Sequence, residues 1–242
     1  MTPTPIVALD FATLDEALAL VQGLGAHCDF YKIGSELYTA SGPEAVRAVT
    51  RLGKRVFLDL KFHDIPNTVE SAARAAARVG ASLITVHASG GEAMLRAAVA
   101  GAGPECGVLA VTVLTSLDGE SLATAWGREA VDVAAEVLRL SVAASEAGVH
   151  GVVCSGHEAA AVRAATGGAL AVLVPGIRFA SGAFHDQRRV VTPGAAVRAG
   201  ASYLVLGRAV TADPDPAAAM QRARLEIEEA VKSEHGSLAR DS

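Results

Sequence analysis

The chain has 242 residues, of which 51% are hydrophobic and 4% aromatic, and it carries a formal net charge of −5. This length suits one large α/β domain, and the apolar fraction is sufficient for a core. No apolar run reaches the roughly 18 residues that a membrane-spanning helix needs, so we expect no membrane partner. The absence of a basic stripe or an aromatic stacking platform argues against nucleic acid as a partner.

Strand-like aliphatic runs alternate with Ala-rich helical patterns along the chain. The strands are predicted at residues 5–10, 30–34, 55–61, 82–88, 107–115, 151–155, 171–175 and 203–207. The helices are predicted at residues 15–24, 43–52, 68–79, 92–100, 130–147, 158–165, 194–199 and 216–232. Such alternation predicts right-handed βαβ units and a parallel sheet, and this number of units favours a single (β/α)8 TIM barrel over residues 1–242. We expect the polar tail, residues 233–242, to fray.

Two helix starts carry local signals. Asn67 and Glu70 have the spacing of a capping box, and the run Asp213-Pro-Asp-Pro resembles an N-cap followed by proline in the first turn. The three cysteines include no CxxC pair, and no secretory signal precedes the first strand. Cys106 and Cys154 lie in or beside aliphatic strand-like runs, so we expect both to be buried, and we expect reduced thiols and a cytoplasmic location.

Residues 55–68, RVFLDLKFHDIPNT, hold the most informative charges. Side chains alternate along a strand, so Asp59 and Lys61 share one face, opposite an aliphatic one. Asp64 follows so closely that a second carboxylate can converge on the Lys61 ammonium. Opposite charges favour the protonated amine, which makes Lys61 a candidate proton donor and not a Schiff-base amine. On spacing alone, a structural ion pair at the strand end is an equal alternative.

Two more charges belong to neighbouring strands. Lys32 faces away from the residues on either side of it in the second strand, and Asp10 ends the first strand. Because neighbouring strand ends meet, Lys32 can reach Asp59. We predict an alternating array of Lys32, Asp59, Lys61 and Asp64, in which each charge offsets the next and partial burial is tolerated.

The later strand ends carry further polar groups. Thr115 and Ser116 supply hydroxyls that suit a base edge and equally suit loop caps. His87 could act as a ligand or base, and a hydrogen-bonded structural role is favoured for it. The seventh strand leads into Arg178 and a Gly-, Ala- and Ser-rich loop over residues 179–189 that has the composition of a lid. The eighth ends in Gly207 and Arg208. Loops after the seventh and eighth strands of barrels commonly bind phosphate, so we predict a phosphate site there.

The motifs together resemble those of the orotidine 5'-phosphate decarboxylase family. They are VALD, YKIG, DLKFHDIPNT, LTS, PGIR, Gln187 and GRAV, in this order over nearly the whole chain. The resemblance implies cofactor-free decarboxylation of orotidine 5'-monophosphate (OMP) to UMP and CO2 in pyrimidine biosynthesis. It also implies no bound metal.

The resemblance further implies a role for each matching residue. Lys61 would protonate C6 of the pyrimidine, with Asp59 close to the departing carboxylate. Asp64 and Thr68 would reach into the site of a partner subunit, so a homodimer with shared sites is expected. The remaining contacts would be Asp10 and Lys32 to the ribose, Thr115 to the pyrimidine amide edge, and Arg178, Gln187, Gly207 and Arg208 to the phosphate end.

Two other functions are compatible with part of this pattern. A related sugar-phosphate decarboxylase or aldolase shares D-x-K-x-x-D but uses magnesium, and FHDIPNT, PGIR and Gln187 favour the nucleotide substrate over it. A non-catalytic nucleotide sensor would be expected to lack a charge of the array, and all four are present. A zinc site is disfavoured because no two histidines have helical i, i+4 spacing.

Overall fold

The computed structural model describes residues 2–179 and 191–238. Eight parallel strands close into a barrel in sequence order, and the eighth pairs with the first, as the sequence predicted. The strands are β1 (Thr4–Ala8), β2 (Phe30–Gly34), β3 (Arg55–Phe62), β4 (Leu83–His87), β5 (Gly107–Val111), β6 (Gly151–Val153), β7 (Ala171–Val174) and β8 (Tyr203–Leu206). Most strands end earlier than predicted. For β5 the difference is largest, and it places Thr115 in the following loop.

Helices cover the outside of the barrel. They are α1 (Leu14–Leu24), α2 (Ser35–Ser41), α3 (Pro43–Arg51), α4 (Pro66–Arg78), α5 (Glu92–Ala102), α6 (Gly119–Trp126), α7 (Val133–Glu146), α8 (Ala159–Ala165), α9 (Pro193–Arg198), α10 (Arg208–Thr211) and α11 (Pro216–Leu238). The short helices α2, α6 and α10 were not predicted, and α11 continues beyond its expected end. None of the helices in the described ranges has the length and apolar character that a membrane crossing requires.

Proline, and not the expected capping box, begins α4. The helix starts at Pro66, its N-cap is Ile65, and no side chain caps it, so the box predicted from Asn67 and Glu70 was wrong. Pro66 already has the φ angle of a first helical residue and lacks the N–H that a cap would satisfy. At α11 the N-cap predicted from the run Asp213-Pro-Asp-Pro is present, because the Asp215 carboxylate accepts the Ala218 N–H at 3.0 Å.

The barrel interior is apolar and is closed at its amino-terminal end. Its buried side chains are Ile6, Ala8, Phe30, Phe57, Leu83, Leu109, Leu173 and Val205. At that end the Arg55 guanidinium lies 4.1 Å from the centre of the Phe30 ring. The His150 ring and the Tyr203 hydroxyl share a hydrogen bond of 3.1 Å beside it. In the described part of the chain these side chains pack together at the amino-terminal end of the barrel.

The cysteines are apolar packing groups. Cys28, Cys106 and Cys154 are buried, and none of the three forms a disulfide. Burial raises the pKa of the Cys106 thiol to about 11, so this group stays protonated near neutral pH. The expected burial of the thiols is thus confirmed.

Helices α4 and α5 pack so closely that Gly101 has no room for a side chain. A Cβ at this position would lie 2.1 Å from the backbone carbonyl oxygen of Glu70, which cannot rotate away. We therefore expect Gly101→Ala to lower the free energy of unfolding by about 1–3 kcal/mol, the usual cost of overpacking. Urea unfolding followed by circular dichroism measures this change.

The matched control is Gly23→Ala on α1, where a Cβ would meet no atom within 4 Å. Alanine is the better helix former, so this variant is expected to be as stable as the parent or slightly more so. Equal stability of the two variants would contradict the close approach of α4 and α5.

Candidate active site

A cavity of about 360 Å³ opens at the carboxyl ends of the strands, within the size range of small-molecule sites. It collects most of the residues singled out in the sequence. The predicted residues that line it are Asp10, Lys32, Asp59, Lys61, Thr115, Arg178, Gly207 and Arg208. They come from β2 and β3 and from the segments that follow β1, β5, β7 and β8, so the barrel closure brings together residues far apart in sequence.

An alternating chain of charges lies along one side of the cavity. The Lys32 ammonium is 2.9 Å from an Asp10 carboxylate oxygen and 3.8 Å from Oδ2 of Asp59. The other Asp59 oxygen, Oδ1, accepts a hydrogen bond of 2.9 Å from the Lys61 ammonium. The side chains of Lys32 and Asp59 are each 12% exposed, so both charges depend on these partners. The predicted contact between Lys32 and Asp59 is therefore present.

A bulge in β3 presents this pair to the cavity. Leu58 pairs with Ile84 and Phe62 pairs with Val86, so β3 has two more residues than β4 between these points. Within the bulge Lys61 has φ +51°, the one positive φ among the described non-glycine residues. A left-handed backbone costs a residue with a side chain about 1–3 kcal/mol and is found most often at functional sites. The bulge thus directs Asp59 and Lys61 towards the open end of the barrel.

Two residues that support the array were missed in the sequence. The Thr85 hydroxyl donates to Oδ1 of Asp59 at 2.9 Å and accepts the Lys61 backbone N–H at 2.9 Å. A Cβ on Gly34 would lie 3.1 Å from the Lys32 ammonium and 3.3 Å from Asp10, so glycine leaves room for their ion pair. Strand alternation could have indicated both, because Gly34 is two residues after Lys32 and Thr85 is a lone polar residue inside a strand.

Asp64 does not join the array within one chain. Its carboxylate accepts the backbone N–H of Ile65 at 2.6 Å, and no contact described for it reaches Lys61. Residues 63–68 are all exposed, and the Ile65 side chain is 66% exposed. Thr68 belongs to the same segment and, like Asp64, is not among the residues that line the cavity.

The opposite end of the cavity is cationic. Arg178, only 8% exposed, follows β7, and Arg208 begins the helix after β8. A Cβ on Gly207 would meet no protein atom within 4 Å, so a ligand can approach this stretch of backbone closely. The described lining has four cations, Lys32, Lys61, Arg178 and Arg208, against two carboxylates, Asp10 and Asp59. Gln187 and the rest of the expected lid after Phe179 lie outside the described residues.

Between the two charged ends the wall is mostly apolar. Its side chains include Val111, Val113, Val153, Pro175 and Val205. Thr115 and Ser116 add hydroxyls at the rim. This part can therefore hold a flat, partly polar ring.

A histidine pair lies behind Lys61. The His63 and His87 rings are 5.4 Å apart between centres. Burial, and then the proximity of His63 and Lys61, lowers the pKa of His87, while Asp59 acts in the opposite direction. A neutral His87 adds no further positive charge behind the Lys61 ammonium.

Comparison with known proteins gives one consistent result. The family model described as orotidine 5'-phosphate decarboxylase / HUMPS matches residues 3–223. An orotidine 5'-phosphate decarboxylase of Anaeromyxobacter sp. (strain K) is 55% identical over 216 residues, which is 88% of this chain and 92% of that protein. One from Moorella thermoacetica is 49% identical over 231 residues, covering 92% of this chain and 91% of its own length.

A solved structure agrees with the sequence relatives. The crystal structure of orotidine 5'-phosphate decarboxylase from Lactobacillus acidophilus superposes with a TM-score of 0.83 at 35% identity, covering 94% of this chain and 99% of that one. The residues matched by the family model, 3–223, include all eight strands of the barrel. The chain therefore belongs to the orotidine 5'-phosphate decarboxylase / HUMPS family.

Proposed function

We propose that this protein decarboxylates OMP to UMP and CO2, without a cofactor, in pyrimidine biosynthesis. The observation that carries the proposal is the Lys32–Asp59–Lys61 array at one side of a cavity whose far end holds Arg178 and Arg208. The family description pairs two names, so the family model alone does not select the activity. The curated relatives at 55% and 49% identity are both orotidine 5'-phosphate decarboxylases, which supports this choice.

The cavity offers suitable side chains for the phosphate, the ribose and the base of OMP, in the order in which these groups are joined. Arg178, Arg208 and the Gly207 backbone suit the phosphate dianion, and Gln187 would join them from outside the described residues. Asp10 and Lys32, paired at 2.9 Å, suit the ribose hydroxyls. Thr115 at the end of the apolar wall suits the pyrimidine amide edge. The excess of cations in the lining complements a substrate that is a trianion.

Lys61 performs the proton transfer in this proposal. Loss of CO2 leaves the electron pair of the broken bond on C6, and an ammonium fixed beside that carbon stabilises the developing charge. Lys61 then donates its proton to C6 to give UMP, and the neutral amine takes a proton from water. Its salt bridge to Asp59, 2.9 Å long, and its bulged backbone hold the ammonium in place before substrate binds.

Asp59 orients Lys61 and limits the charge of the site. It accepts hydrogen bonds from both Lys61 and Thr85 on the same oxygen, Oδ1. In the bound complex it would lie near the substrate carboxylate, whose negative charge is lost with CO2. A carboxylate in that position disfavours the substrate more than the product-like transition state.

The protein is proposed to act as a homodimer in the cytoplasm, with sites shared between subunits. The supporting observation is that Asp64 and Thr68 lie on an exposed segment outside the cavity of their own chain. In a symmetric dimer this segment would bring Asp64 and Thr68 into the active site of the partner subunit. Two-fold symmetry then gives two equivalent sites.

The first test follows the ultraviolet absorbance of OMP in the presence of EDTA. Wild type is expected to convert OMP to UMP, whereas Lys61→Ala should lose at least about a thousand-fold in kcat, since it loses both the electrostatic stabilisation and the proton donor. Lys232→Ala, on the exposed side of α11, is the control for loss of a lysine and should retain full activity.

Two results would contradict this proposal. A folded wild type that leaves OMP unchanged would reject the substrate. Activity abolished by EDTA and restored by magnesium would favour the related sugar-phosphate enzyme, and the same preparation should then be tested with sugar phosphates.

The second test concerns Arg208. We expect Arg208→Ala to lower kcat/KM for OMP by about 100- to 1,000-fold, because a charge-assisted contact to the phosphate is lost. With orotidine, which lacks the phosphate, the same substitution should have little effect. Steady-state kinetics of both proteins on both substrates measure the difference. Equal losses on OMP and orotidine would place the role of Arg208 outside phosphate binding.

The third test concerns the shared site. Lys61→Ala and Asp64→Ala are each expected to be inactive as homodimers. After unfolding and refolding together in equal amounts, they should recover about a quarter of the wild-type activity, because heterodimers contain one site with neither substitution. No recovery, with heterodimers demonstrated by mass spectrometry of differently tagged chains, would show that Asp64 serves its own chain.

A further inference from the structure

We propose that Thr85 is a positioning residue that holds the two reacting side chains in register through a single hydroxyl. This inference rests on the proposed function, because it concerns how the Asp59–Lys61 pair is set before OMP binds. The bulge in β3 leaves the Lys61 backbone N–H in need of a hydrogen-bond acceptor, which the Thr85 side chain provides. The hydroxyl contacts both members of the pair but lies outside the residues that line the cavity.

The bulge leaves one residue of β4 opposite three residues of β3. Between the pairs Leu58–Ile84 and Phe62–Val86 lie residues 59–61 on β3 and Thr85 alone on β4. A regular parallel ladder cannot satisfy the backbone groups of three residues with those of one. A buried N–H without a partner is unfavourable, so the Lys61 N–H needs an acceptor from elsewhere. The Thr85 side chain provides it at 2.9 Å.

The two hydrogen bonds of the hydroxyl have defined directions. The Lys61 backbone N–H can only donate, so the hydroxyl oxygen accepts from it. The hydroxyl hydrogen is then available to donate to Oδ1 of Asp59, at 2.9 Å. Thr85 is 1% exposed, so water does not compete for either bond. The carboxylate of Asp59 and the backbone of Lys61 are thereby tied to the same atom.

These two hydrogen bonds restrain the Asp59 carboxylate and the Lys61 backbone, and both orientations matter for catalysis. Oδ1 of Asp59 accepts from both Thr85 and the Lys61 ammonium, which restrains rotation of the carboxylate and keeps Oδ2 towards Lys32. The N–H contact holds the left-handed backbone of Lys61, on which the direction of its side chain depends. Without the hydroxyl, both groups would sample orientations in which the ammonium is not aimed at C6.

The test compares Thr85→Val, which keeps the shape but removes the hydroxyl, with Thr85→Ser, which retains it. Thr85→Val is expected to lower kcat for OMP about 10- to 100-fold, the usual range for residues that orient a reacting group. KM should change by less than about threefold, since the phosphate and base contacts are untouched. Thr85→Ser should restore kcat to within about threefold of wild type, because the same two bonds can form.

The matched control is Thr112→Val, on the chain just after β5. Thr112 is also buried, and its hydroxyl donates to the backbone oxygen of Val153 at 2.8 Å. Its own N–H donates to that oxygen as well, so the substitution leaves the acceptor satisfied. Thr112→Val is expected to keep kcat. An equal loss of kcat in Thr112→Val and Thr85→Val would overturn the proposal, as would a Thr85→Val effect confined to KM.

A second measurement needs neither substrate nor a stable variant. Amide hydrogen exchange in the wild-type protein, followed by NMR, should show a slowly exchanging Lys61 N–H, although this residue lies in a bulge. Exchange as fast as that of an unprotected amide would overturn the proposal. Because this readout does not involve OMP, it separates failure of the positioning role from failure of the proposed activity.

Discussion

The dominant physical constraint in this molecule is the need to keep alternating charges at the mouth of an apolar barrel. Removing an ion from water costs several kcal/mol unless an opposite charge and hydrogen bonds replace the lost solvent. Asp59 and Lys32 are both largely buried, and each lies beside a group of opposite sign. The order Asp10–Lys32–Asp59–Lys61 is what makes the burial possible, since two adjacent charges of the same sign would repel in this environment.

The surrounding structure serves to hold those charges at fixed distances. Gly34 leaves the space in which Lys32 meets Asp10, and Asp59 and Lys61 lie in the bulge of β3, where the Thr85 hydroxyl contacts both. The left-handed backbone of Lys61 is unfavourable by itself and persists because the barrel around it is rigid. The site therefore contains an ammonium whose orientation is set during folding and not during the reaction, which is the essence of electrostatic preorganisation.

The barrel could be predicted because aliphatic strand-like runs and Ala-rich helical patterns have different side-chain periods and alternate along the chain. The run of residues 30–34 matched β2 without correction, and Asp59 and Lys61, which alternation placed on one face, both line the cavity. Short helices such as α2 escaped detection because they have too few residues to show a period. The cap assigned to Asn67 failed because Pro66 starts the helix one residue earlier. The sequence marks Thr85 as a polar residue inside a strand, but its two partners are 24 and 26 residues away, and the register of β3 against β4 is needed to identify them.

The register of β3 against β4 also limits how this segment can change in length. Ordinary surface loops tolerate insertions and deletions, whereas the side-chain period of a strand is two, so losing one residue reverses the face of everything that follows. Between Leu58 and Phe62 a deletion of one residue would exchange inward and outward positions and leave the Thr85 hydroxyl without its partners. We therefore expect homologous chains to keep the number of residues in this segment unchanged, so that it can serve as a fixed reference when divergent members are aligned.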